Sequence, residues 1–174
     1  MHCKAALLWI LTIVLLIILP AAIASPAPLL KSYITDTAGI LSPAALAGLE
    51  AGLSALEQNT NGVQFLVFIE NEFPKDSSLE EYSLKVAEAN KVGKKGSDNG
   101  LLLYIAVKDR AFRWEVGYGV ESTLSASLLG RVSRTYLIPE FQNGQFEKGI
   151  KQTVDAVSRI LLGSQDADIV SLKK

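Results

Sequence analysis

The chain of 174 residues has a single cysteine and a single histidine, Cys3 and His2, and both stand in its first three positions. Once its apolar start is removed, the remainder holds neither residue. That excludes a disulfide-linked partner, a Cys/His zinc site, a histidine-dependent triad and a cysteine nucleophile. Chemistry then falls to carboxylates, hydroxyls, amides, Lys, Arg, Tyr or a metal held by oxygen ligands. Surplus positive charge is also missing, with 17 Lys and Arg against 18 Asp and Glu. Nucleic acid needs clustered excess cations, so it is excluded as a partner. Gly93-Lys94-Lys95-Gly96 lacks the spacing of a Walker loop, and no organic cofactor is expected. Asp36-Thr37-Ala38-Gly39 falls short of the Asp-Thr/Ser-Gly signature of an aspartic protease, and it occurs once where a dyad needs two.

What the sequence does contain begins with an export signal. Lys4 precedes a run, Ala5 to Leu19, that is apolar apart from Thr12; Pro20 breaks it, and Ala22-Ile23-Ala24 has the small-x-small pattern of a cleavage site. Residues 1–24 therefore read as a signal peptide cut before Ser25. The alternative is an uncleaved N-terminal anchor, since Ala5–Ala24 is just long enough to span a bilayer. Both readings put the domain outside the cytoplasm, in the periplasm or secreted, or tethered at the membrane. Residues 25–32 read as a linker, 33–163 as one domain and 164–174 as a loose tail.

Within the domain, Tyr33-Ile34-Thr35 is a short extended piece. Ser42-Pro43 starts a helix, with Ser as cap and Pro at the first helical position; Leu46, Leu49, Leu53 and Leu56 recur at helical spacing. Val63–Ile69 and Leu101–Val107 are apolar runs of strands buried on both faces, joined through one helix opened by Ser78; that order is a parallel crossover. Ala111–Val116 alternates in polarity after the turn Lys108-Asp109-Arg110, which predicts an antiparallel hairpin. Helices are expected from Ser125 to Leu137, stopped by Pro139, and from Phe146 to Leu162. The fold class is α/β, a three-layer α/β/α sandwich on a mixed sheet of about four strands.

The hairpin register places the polar loops. A turn centred on Asp109 and Arg110 sets Leu101 opposite Tyr118 and brings Asp98 near Glu121. The loop Ser97–Gly100 and the turn Gly117–Glu121 then share one sheet edge, beside the helix start at Ser125. Asp98, Asn99, Glu121 and Ser125 offer hard oxygen ligands for calcium or magnesium, and Asp36 is a further candidate. Asp-Asn-Gly and Gly-Tyr-Gly are equally ordinary turn chemistry, and Asp36 reads first as a turn-maker.

Four motifs in order resemble those of the TPM domain family: Asp36-Thr37-Ala38-Gly39-Ile40-Leu41-Ser42, Asp98-Asn99-Gly100-Leu101, Glu115-Val116-Gly117-Tyr118-Gly119-Val120-Glu121, and Ile138-Pro139 with Phe141 and Gly144. The resemblance covers about Tyr33 to Leu162. It implies an α/β/α sandwich outside the cytoplasm, with calcium binding, an acid-phosphatase-like activity or an accessory role beside membrane complexes. Carried over by motif, its residues of interest are Asp36, Asp98, Asn99 and Glu121. The chain departs at Leu124-Ser125-Ala126, where the family usually has a carboxylate, and at Val92-Gly93 in place of Trp-Gly. Two functions follow as expectations. One is an accessory or quality-control binding module for a membrane protein complex or its subunits, with a divalent-cation site. The other is a metal-assisted, acid-phosphatase-like hydrolase of phosphate esters.

Overall fold

The computed structural model describes residues 26–93 and 96–174. The proposed signal peptide or anchor therefore lies outside the described residues. Among those residues no helix is long and apolar enough to cross a membrane.

Four strands form one sheet in the order β1-β2-β3-β4: β1 (Ile34–Asp36), β2 (Gln64–Glu70), β3 (Gly100–Ala106) and β4 (Ala111–Val116). The first three run parallel, and β4 returns antiparallel to β3. The period-two geometry of the strands explains why β2 and β3 are apolar throughout. Phe65, Val67, Ile69, Leu101, Leu103 and Ile105 face one layer, while Leu66, Phe68, Leu102 and Tyr104 face the other. The mixed sheet with helices on both faces is the α/β/α sandwich expected from the sequence.

The larger face lies under α1 (Pro43–Asn59) and the helices that follow the hairpin. Ser42 caps α1 by accepting from the Ala45 amide at 3.2 Å, and Ala45, Leu49, Leu53 and Leu56 form its buried stripe. The smaller face lies under α2 (Leu79–Ala89), which contributes Tyr82 and Val86. The segment read as a linker packs here too. Ala27 and Leu30 sit against this face, and the Asn90 side chain donates to the Pro28 carbonyl at 2.9 Å and accepts from the Leu30 amide at 2.6 Å.

After β4 the chain makes one turn of helix, α3 (Tyr118–Glu121), and then α4 (Ala126–Val132). The helix expected to stop at Pro139 instead widens into a π-helical turn, Ser133–Leu137, and tightens again as α5 (Ile138–Gln142). Pro139 lies in the first turn of α5, where a missing amide costs nothing, so it begins a helix rather than ending one. Next come α6 (Phe146–Leu161) and α7 (Ala167–Lys173). The residues of α7 were expected as a loose tail. Ile169 and Leu172 are buried in the large core, and Arg159 holds Asp166 and Asp168 at 2.7 and 2.8 Å.

Candidate functional site

The hairpin register differs from expectation by two residues. Leu101 pairs with Val116 rather than Tyr118, because the turn occupies Val107–Arg110 and Ala106 pairs with Ala111. The expected meeting of loops nevertheless occurs. The Gly117 amide donates to the Gly100 carbonyl at 2.8 Å, and the Gly119 amide to the Asp98 carbonyl at 3.0 Å.

Glycine is what permits this approach. A Cβ on Gly117 would stand 2.0 Å from the Asp98 carbonyl oxygen, and one on Gly119 would stand 2.0 Å from that of Ser97. The underside is equally fixed: the Asn99 side-chain amide donates to the Gly62 carbonyl at 2.6 Å, and the Gln64 amide donates to the Asn99 carbonyl at 3.0 Å. Asn99 and Gly100 are buried beneath the exposed turn, and these hydrogen bonds hold the two loops together as one platform. On it stands Tyr118, whose exposure of 85% is the greatest of any large apolar side chain described. Leu84 of α2, 48% exposed, lies along the adjoining shallow groove with Val92, Val116 and Gly117.

The five residues expected as ligands do not form one ligand set. Asp36 ends β1 at the level of Ile69 and Ile105, whereas Asp98 and Asn99 precede the start of β3. Five strand residues, about 17 Å at 3.3 Å each, separate the two edges. Both Asp36 carboxylate oxygens are engaged in its own turn, accepting from the Gly39 and Leu41 amides at 2.8 Å. Ser125 caps α4 by accepting from Leu128 N at 3.3 Å, and Asn99 is buried beneath the platform. Asp98 and Glu121 are exposed on the paired loops. Among the described residues no three His, Cys, Asp or Glu side chains gather as a metal-holding group. A single ion could not take ligands from both edges, so Asp36 stands apart from Asp98, Asn99, Glu121 and Ser125.

Sequence reading missed the exposure of Tyr118, which lay in a turn taken as an ordinary tight bend. An aromatic side chain between two glycines that must each lack a Cβ was the available signal. It also missed a polar cluster at the far edge, where the Tyr104 hydroxyl donates to Glu70 Oε1 at 2.6 Å. Burial pushes the Glu70 carboxyl above its usual range, and burial beside Glu70 pushes the Tyr82 hydroxyl up to about 12.

The paired Asp-Asn-Gly and Gly-Tyr-Gly loops at one sheet edge, in this strand order, bear on family membership. The family model that matches is the TPM domain, over residues 34–160. The chain belongs to the TPM domain family. Among solved structures, it is similar to the N-terminal domain of a P. gingivalis protein, at 35% identity and a TM-score of 0.69, covering 75% of this chain and 82% of that one. Two more distant structures share the TPM-type fold. The N-terminal domain of the cg2496 protein from Corynebacterium glutamicum is 13% identical with a TM-score of 0.58, over 83% of this chain and 89% of that one. The BA42 protein from the psychrophilic bacterium Bizionia argentinensis is 20% identical with a TM-score of 0.57, over 74% and 87%. No curated protein sequence matches.

Proposed function

We propose that this TPM domain is an extracytoplasmic accessory module that docks on a membrane-associated protein complex or its subunits through the Tyr118 platform. The observation that carries the reading is Tyr118 itself, 85% exposed on a loop pair held by backbone hydrogen bonds. Placing a large aromatic ring in water forgoes its burial. A backbone already held on both sides of the ring has little further freedom to lose on binding, and exposed aromatic side chains are frequent anchors of interfaces. Leu84 and the groove behind it add apolar surface as far as Gly117, the residue before the ring. Exposed Asp98 and Glu121 on the same loops supply a polar, acidic rim.

The test compares partners retained from detergent-solubilised membranes of the producing cells by the native protein and by Tyr118→Ala. A membrane protein held by the former and released at least thirtyfold more readily by the latter supports the reading, on a hot-spot loss of about 2 kcal/mol. Equal retention refutes it.

A second reading, a cation-assisted hydrolase of phosphate esters, draws on the same clamp, which holds the Asp98 loop against the turn that carries Glu121. It requires that calcium or magnesium bind there first. Amide shifts confined to residues 97–100 and 117–125 on calcium titration, abolished in Asp98→Ala, would favour it; an unchanged spectrum at millimolar calcium removes it.

A further inference from the structure

A second feature lies at the opposite edge of the sheet, beyond the C-terminal end of β3, and is independent of the Tyr118 platform. A cavity of about 570 Å³ opens between the β3–β4 turn and the helices α5 and α6. Its walls are Val107, Phe112, Ile138, Phe141 and Phe146, with the fully buried Leu137 among them. Phe141 and Phe146 meet edge to face, centroids 5.1 Å apart, so this aromatic wall is already packed. The volume falls within the range of small-molecule sites, and the ends of parallel strands are where open α/β sheets receive ligands.

One charged group joins this apolar lining, Arg110. It adopts a left-handed backbone conformation, φ 52°, at a turn position that glycine or asparagine would occupy with less strain. Among the described residues its guanidinium has no ion-pair partner. The adjoining acid in the chain turns elsewhere: Asp109 Oδ2 accepts from the Phe73 amide at 2.9 Å. The wall beside the cavity is the π-helical turn ending at Leu137, a local irregularity often found at functional sites.

We infer that this cavity binds a small amphiphilic monoanion, an acyl or aryl carboxylate, with its apolar body among Phe112, Phe141 and Phe146 and its carboxylate on the Arg110 guanidinium. The charge argument selects a monoanion, since one unpaired cation meets one carboxylate, and the planar guanidinium matches a carboxylate with two parallel hydrogen bonds.

The test uses decanoate as probe, with decanol and acetate as controls, followed by amide chemical shifts of the purified protein. Saturable shifts are expected at residues 107–112 and 137–146. Decanoate should bind at least tenfold more tightly than decanol, and acetate should not saturate the site. Arg110→Gln should weaken decanoate at least tenfold and leave decanol unchanged, while Arg110→Lys keeps part of the preference. The unchanged decanol affinity shows that the variant's cavity is intact. Decanoate shifts scattered over the surface, or decanoate affinity equal in the native protein and in Arg110→Gln, would overturn the assignment.

Discussion

Replacing Gly119 by alanine adds one methyl group to a site with no room for it. The new Cβ would lie 2.0 Å from the Ser97 carbonyl oxygen and 3.2 Å from the carbonyl carbon and oxygen of Asp98. These are backbone atoms, so no side chain can swing away, and the two loops must separate. Overpacking of this kind costs about 1–3 kcal/mol. Loss of the Gly119-to-Asp98 hydrogen bond adds about 0.5–1.5 kcal/mol. Against this, alanine restricts the unfolded chain, which offsets about 0.4–1 kcal/mol. The net expectation is destabilisation by roughly 0.5–4 kcal/mol, or a melting temperature lower by roughly 1–16 °C for a domain of this size. Gly52→Ala is the control. That glycine lies within α1 with nothing within 4 Å of an added Cβ, and alanine there should stabilise by about 0.5–1 kcal/mol through helix propensity. Thermal melts and urea titrations of both variants decide the matter. If Gly119→Ala melts at or above the native protein, the clamp has no energetic meaning and the platform argument loses its base.

Other expectations concern the acids and the buried polar contacts. Hydrogen bonding to Arg159 holds the Asp166 and Asp168 carboxyls below the usual carboxylate range. Their contribution is therefore present above the unfolded values and disappears as pH falls through the folded ones. Amide exchange in α7 should accelerate selectively below about pH 4, and Arg159→Met should produce the same acceleration at neutral pH; uniform exchange across the domain would contradict this. Glu70 has the opposite sign. Burial raises its folded value above the unfolded one, so its ionised form costs stability at neutral pH and the cost vanishes on acidification. Glu70→Gln should then be neutral or stabilising at pH 7 in urea titrations, and lose that advantage near pH 4. A variant destabilised at pH 7 alone would show that the Tyr104 bond to the charged carboxylate outweighs desolvation. Ser133→Ala removes the acceptor of the Trp114 indole, 2.9 Å away, and should cost about 1–3 kcal/mol; an unchanged urea midpoint would show that the indole finds another acceptor.

The strands that build the layers were plain in the sequence because β2 and β3 are buried on both faces and can hold almost nothing but apolar side chains. The start of α1 was equally plain, since Ser42-Pro43 combines a cap with a ring that prefers the first turn. The hairpin register was misread by two residues because the turn closes through Arg110 in a left-handed conformation, and arginine is not a residue that signals such a turn. Pro139 misled for a related reason. Its ring forbids a position inside a regular helix, but the π-helical turn before it leaves it at a new first turn. Helix α7 was hidden because its two buried residues, Ile169 and Leu172, are too few to show a period, and its ion pair with Arg159 is a tertiary contact that spacing alone does not signal. In the candidate site, the neighbourhood of the Asp98 and Gly117–Glu121 loops was legible from the hairpin alone. Asp36 was misgrouped because its motif gives no information about which end of the sheet it occupies. In a parallel strand preceding a helix, that end is opposite the loop that leads into β3.

The central claim is that the clamped loop pair presents Tyr118 to a membrane-associated partner, and photo-crosslinking from that position tests it most directly. A photoreactive phenylalanine analogue placed at Tyr118, and separately at Gly52 on the exposed side of α1, is activated in membranes of the producing cells. The account predicts one discrete membrane-protein adduct from position 118 and none from position 52. Identical adduct patterns from the two positions, or adducts from neither, would contradict it.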